Sequence, residues 1–182
     1  PIPSVAYTNT ISDNIVTVTQ TSANAVTGIQ QAFGNATATH VLNSNNVTLN
    51  QNLTGPSSSQ VNGIISQVAF LSVTANSNAV TINQSISAGA NSSQTSCINI
   101  LPGAVVAGST QTINSNILNI KQNTTGGTYT GTIIYVWANF ATNAISVGTG
   151  NFNNNQMLCT GSNIRTSGAT FGIYHDFTYT TS

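Results

Sequence analysis

The sequence predicts an all-β fold, an antiparallel β-sandwich of the immunoglobulin-like or jelly-roll-like kind, on three observations. Glutamate is absent, and a single Lys and a single Arg leave few strong helix formers for surface faces. Runs rich in Val, Ile, Thr and aromatic residues recur about every ten residues between Gly, Asn and Ser clusters. No fixed repeat period stands out, which speaks against a solenoid.

The first predicted strand, residues 4–11, carries Val5, Tyr7, Asn9 and Ile11 on one face and smaller residues on the other. After Ser12-Asp13-Asn14 the parity changes, with Val16 and Val18 on strand 15–20, so a turn or hinge separates the two. Pro1 and Pro3 precede the first strand, where they limit ladder extension without cutting it. Further strands are predicted at 25–33, 37–42, 46–53, 61–75 with a bend at Gly63, 79–86, 96–101 and 111–121. Gly126-Gly127 reads as a hairpin turn into strand 128–140. That strand is apolar on both parities, Ile133, Tyr135 and Trp137 against Ile134, Val136 and Phe140, as a central strand covered on both sides should be. Strands 143–148, 156–160 and 169–180 complete the set, the last with Phe171, Ile173, Phe177 and Tyr179 on one face.

The chain of 182 residues holds two cations, Lys121 and Arg165, and two carboxylates, Asp13 and Asp176, while Asn, Thr, Ser and Gln number 26, 28, 21 and 11. Two cations cannot neutralise a nucleic-acid footprint. Acid–base chemistry would depend on two carboxylates and on His40 and His175. His175 and Asp176 are adjacent in a strand, so their side chains point to opposite faces. No GxSxG elbow or phosphate-binding loop is present. With two thiols and two separated histidines, no metal site is expected, and neither a catalytic residue nor a cofactor is assigned. A Lys–Asn cross-link from Lys121, assisted by Asp176 or Asp13, is a further covalent feature the composition allows, although a Lys snorkelling from a strand end is commoner. Polar ladders of Asn and Gln would also suit an amyloid; the spaced turns and the single Trp favour a folded domain.

No apolar run is long enough to span a membrane, and the opening PIPSVAYT reads as a mature start from which a leader has been removed. Secretion is the expectation, and with it a Cys97–Cys159 disulfide, the alternative being two buried free thiols. Six sequons, at Asn35, Asn46, Asn52, Asn83, Asn91 and Asn123, are candidate N-glycan sites in a glycosylating cell; all but Asn83 lie in or beside turn-like stretches. With two carboxylates to protonate, stability is expected to respond little to acid.

A nearly uncharged, Thr/Asn-rich β domain with sequons throughout, and the segment SVAYTNTI ahead of SDN, resembles the subunit of the thread filaments of thermoacidophilic archaea of the Sulfolobus group. The resemblance covers the whole chain in composition and layout, without a diagnostic motif. It implies a glycosylated sandwich head, residues 13–182, and an N-terminal tail, residues 1–12, that enters the next subunit of an extracellular filament serving adhesion and biofilms. In that scheme Val5, Tyr7 and Ile11 anchor a donor strand in a neighbour's groove, and identical copies form a linear or helical homopolymer. A viral capsid or spike jelly roll and a carbohydrate-binding adhesin domain are the other classes considered.

Overall fold

The computed structural model describes residues 5–101, 108–140, 149–162 and 168–177. It overturns the antiparallel sandwich. The described residues contain no helix, and every strand pairing is parallel, giving a β-solenoid.

Chain order explains the winding. Strands β1 (Thr8–Thr10), β2 (Ile15–Gln20) and β3 (Val26–Gln31) each start a different sheet. The chain returns with β4 (Thr39–Val41), β5 (Asn46–Leu53) and β6 (Val61–Ser66), then with β7 (Ser72–Thr74) and β8 (Ala79–Ile86). After the short β9 (Ala90–Asn91) come β10 (Thr95–Ile100), β11 (Thr110–Thr112) and β12 (Ile117–Thr124). Then β13 (Thr128–Tyr129), β14 (Ile133–Phe140), β15 (Thr149–Asn151), β16 (Gln156–Ser162) and β17 (Thr170–Phe177) complete the fold. The first sheet runs β1-β4-β7-β11-β15, the second β2-β5-β8-β12-β16 and the third β3-β6-β10-β14-β17, with β9 and β13 forming a two-stranded strip. One strand from each main sheet makes a rung.

The second sheet shows why these residues stack. Along β5, Val47, Leu49, Gln51 and Leu53 turn inward and are buried, as are Val80, Ile82, Gln84 and Ile86 along β8. Register pairs Val47 with Val80 and Leu49 with Ile82, so like packs on like between rungs. The buried glutamines also stack, Gln84 Nε2 donating to Gln51 Oε1 at 3.0 Å and Gln122 Nε2 to Gln84 Oε1 at 2.7 Å, which satisfies the middle amide and leaves Gln51 Nε2 at the end of the stack without a partner among the described residues. In the third sheet β6 and β10 are buried at every position, and Ile133, Ile134, Tyr135 and Val136 of β14 are buried on both parities, as the sequence indicates.

Of the tail read as a donor strand, residues 5–12 belong to their own body, and residues 1–4 lie outside the described residues. β1 pairs in parallel with β4, Ile11 N–H donates to Val41 O at 2.8 Å and Thr39 N–H to Tyr7 O at 2.9 Å. Without a sandwich there is no incomplete groove for Val5, Tyr7 and Ile11 to fill; Ile11 packs on the core of its own chain, and Val5 and Tyr7 are exposed. Gly126-Gly127 turns a solenoid corner between β12 and β13, not a hairpin. A side chain at Gly126 would press on Ser87 O, 2.3 Å from its Cβ position, so glycine lets neighbouring rungs close together there.

His40 adds an acid-sensitive group that a count of carboxylates leaves out. It is fully buried in β4, its Nδ1 3.2 Å from Ser66 Oγ and its ring edge-on to Phe70 at 5.8 Å. Burial disfavours the imidazolium and lowers its pKa. The unfolded chain, with His near 6.5, therefore binds more protons than the folded one, so stability falls as pH drops from about 6.5 toward the folded value. The urea midpoint at pH 5 should lie below that at pH 7.5, and His40→Gln should reduce the difference.

Candidate assembly interface

One corner of each rung carries a tetrapeptide with an apolar first residue and Asn last: Ile11 to Asn14, Leu42 to Asn45, Ala75 to Asn78, Ile113 to Asn116 and Phe152 to Asn155. The third residue of each, Asp13, Ser44, Ser77, Ser115 and Asn154, adopts a positive φ of 55–61°. That left-handed turn is unfavourable for a residue with a Cβ, and short polar side chains bear it best. Hydrogen bonds between the asparagines of successive rungs hold it in place. The N–H and Nδ2 of Asn45 both donate to Asn78 Oδ1 at 2.9 and 3.1 Å, and those of Asn78 to Asn116 Oδ1 at 2.8 and 3.0 Å. Asn14 bonds to Asn45, and Asn116 to Asn155, in the same way. The second hydrogen of each inner amide goes back one rung, from Asn45 to Ile11 O, from Asn78 to Leu42 O and from Asn116 to Ala75 O, at 2.8–2.9 Å. Asn45, Asn78 and Asn116 are thereby buried and satisfied. An outer ladder runs beside this one: Asn76 N–H donates to Asn43 Oδ1, Asn114 N–H to Asn76 Oδ1 and Asn153 N–H to Asn114 Oδ1, at 2.7–2.8 Å.

The ladder has a direction. In the inner ladder each backbone N–H and one Nδ2 hydrogen donate to the asparagine Oδ1 of the next, C-terminal rung, while the outer ladder donates the opposite way, so at the two ends of the inner ladder Asn14 Oδ1 has no donor and Asn155 N–H no ladder acceptor among the described residues. The apolar columns also run out to both ends. Val16 and Val18 are only partly buried, although their register partners Val47 and Leu49 are fully buried. At the other end Met157 is partly buried, Cys159 is exposed and Ile173 is 41% exposed, whereas Ile120 and Val136, register partners of Cys159 and Ile173, are fully buried.

The sequence-predicted positions are dispersed over this frame. Cys97 and Cys159 are both free thiols, so the expected bridge is not made: Cys97 is sealed inside the third sheet, where burial raises its pKa, and Cys159 lies on the outermost rung. Tyr135, also turned inward, is held above its usual pKa by burial first and by the neighbouring Cys159 second. Asn46, Asn52, Asn83 and Asn123 all fall on the outer face of the second sheet, with Asn46 and Asn52 exposed. Asn35 is half-buried and its Oδ1 accepts from Thr37 N–H and Oγ1, both at 2.9 Å. Asn91 is fully buried, its amide directed at Ala88 O and Gly89 O. Peptide mapping of native material should find sugar at Asn46 and Asn52 and none at Asn91; an occupied Asn91 contradicts this placement.

Lys121 is exposed beside a shallow, open depression of about 270 Å³ lined by Asn50, Asn52, Asn83, Ser85 and Asn123, with no carboxylate in the lining. Asp13 is exposed at the first corner, and the side chain of Asp176, like that of His175, lies outside the described residues, as does Arg165. No group of three or more His, Cys, Asp or Glu comes together among the described residues. The ladder asparagines were missed as a motif, although the repeated apolar-Asn-Ser-Asn string could have found them. Compared with protein-family models, curated proteins and solved structures, the chain matches none.

Proposed function

We propose that the chain is a structural protomer of an extracellular filament, joined end to end with identical copies through its outermost rungs. The observation that carries this reading is the polarity of the asparagine ladder. The Asn155 N–H of one copy and the Asn14 Oδ1 of the next are a donor and an acceptor placed to continue the same chain of amides. The same stacking sets Val16 over Met157, Val18 over Cys159 and Ile29 over Ile173, apolar on apolar. It also pairs the free edges of β1, β2 and β3 with those of β15, β16 and β17. A head-to-tail contact of this kind is open-ended and yields fibres rather than rings. Zero formal net charge leaves little repulsion between copies, and sugars on the second sheet would keep fibres from fusing laterally. The filament is the assembly expected from the sequence, with adhesion between cells as its role, but its joint is end-to-end stacking of rungs in place of strand donation.

Ile173→Glu tests the joint. The residue is partly exposed in the single chain, so a charge is tolerated there, yet it would be buried unpaired in the junction. Wild type should elongate under negative-stain microscopy while the variant stays folded and monomeric; fibres of equal length from both overturn the proposal.

A second reading, carbohydrate binding, draws on Trp137, Phe171 and Tyr174, which meet on the third sheet with ring centroids 6.1 and 5.0 Å apart. Glycan-array binding by the Ile173→Glu monomer, lost in Trp137→Ala, would favour it.

A further inference from the structure

We infer that the outer face of the first sheet is an ice-binding surface. The alternation along its short strands turns His40, Val73 and Gln111 inward, where they are buried, and leaves two parallel ranks outside. Thr8, Thr39, Ser72, Thr110 and Thr149 form one rank, in register. Thr10, Val41, Thr74, Thr112 and Asn151 form the second. Within a rank, neighbours are about 4.8 Å apart, and the ranks are separated by two residues of strand, about 6.6 Å. Nine of the ten positions carry a polar group, and Val41 has the shape of threonine.

Chemistry narrows the ligand. A threonine on a strand is stiff at χ1 and shows a methyl and a hydroxyl together, so the array is set before anything binds and loses little entropy on contact. Thr110 Oγ1 donates to Ser72 Oγ at 3.1 Å, which fixes hydroxyl direction across a rung. The face has no aromatic ring on which a sugar could stack and no charge for a mineral or polyelectrolyte. None of the sequons lies on a strand of this sheet; the four on main-sheet strands are all in the second, so sugars there leave the first sheet bare. What fits a rigid, uncharged grid of hydroxyls and methyls is a lattice of water. The prism face of hexagonal ice repeats its oxygens along one axis at a spacing close to that within a rank, and along the other at one somewhat wider than that between the ranks.

The inference does not depend on filament formation, although longer ranks would strengthen it. The purified wild-type chain should depress the freezing point below the melting point and inhibit ice recrystallisation. Thr74→Tyr and Thr112→Tyr, which raise a ring out of the plane, should lose both effects while keeping the β circular-dichroism spectrum. Thr74→Val should keep most of the activity, and Thr81→Tyr, on the outer face of the second sheet, should keep all of it. A wild-type chain without either effect overturns the assignment, and so does a loss from Thr81→Tyr as large as that from Thr74→Tyr.

Discussion

Asn78→Ala is expected to lower stability by about 3–5 kcal/mol, enough to consume much of the margin of a typical domain. The residue is buried and holds five bonds through its backbone N–H and its amide. Removing the amide strands the N–H and Nδ2 of Asn45, which both point at the lost Oδ1, and takes a donor from Leu42 O and from Asn116 Oδ1. Buried groups without partners cost roughly 1–3 kcal/mol each, and the corner relaxes only in part because Ser77 next to it is in the left-handed region at φ 56°. Asn78→Asp separates geometry from mere size. It keeps the acceptor but sets an oxygen against Asn116 Oδ1 and Leu42 O, so its loss should grow as pH rises and the carboxyl ionises. Urea midpoints measure both; Asn46→Ala, an exposed asparagine one residue past a ladder position, should stay within about 0.5 kcal/mol of wild type.

Gly63→Val should cost more than about 3 kcal/mol or prevent folding. Gly63 turns inward in β6, and a Cβ there would sit 2.4 Å from Val80 Cγ1 and 2.6 Å from Cys97 O. The valine methyl could move; the carbonyl belongs to the adjacent strand, because Asn62 pairs with Ser96 and Ile64 with Ile98 on either side. Relief therefore requires parting β6 from β10 or the third sheet from the second. Gly55, with nothing within 4 Å of its Cβ position, is the control, and Gly55→Val should shift the midpoint little.

The strands themselves were legible. Residues 15–20, 46–53 and 79–86 match β2, β5 and β8 to the residue, because alternating Val, Leu and Ile against Thr and Asn fixes which side of a strand faces apolar surroundings. Partnership was not legible, since alternation is the same whether the neighbour runs parallel or antiparallel. The Gly, Asn and Ser clusters that close a hairpin also turn a solenoid corner. Residues 61–75 and 111–121 each look like one strand although Phe70 and Asn114 lie in turns between separate strands, because apolar corner residues resemble strand continuations. The repeat was hidden by its spacing. Successive ladder asparagines are 31, 33, 38 and 39 residues apart, so a search for one fixed period passes over them while the apolar-Asn-Ser-Asn corner itself is nearly constant. The burial of His40 was hidden for a different reason: nothing in the sequence around it distinguishes a sealed imidazole from an exposed one.

The most direct test is the fine structure of the fibre that the wild-type chain forms. Stacked rungs require strands perpendicular to the fibre axis, a meridional repeat of about 4.8 Å, and an axial advance per subunit near five rungs, about 24 Å. Those values, read by fibre diffraction or cryo-microscopy, are the expected result. Strands running along the axis, or beads joined by an extended N-terminal segment entering a neighbour, would contradict end-to-end stacking outright.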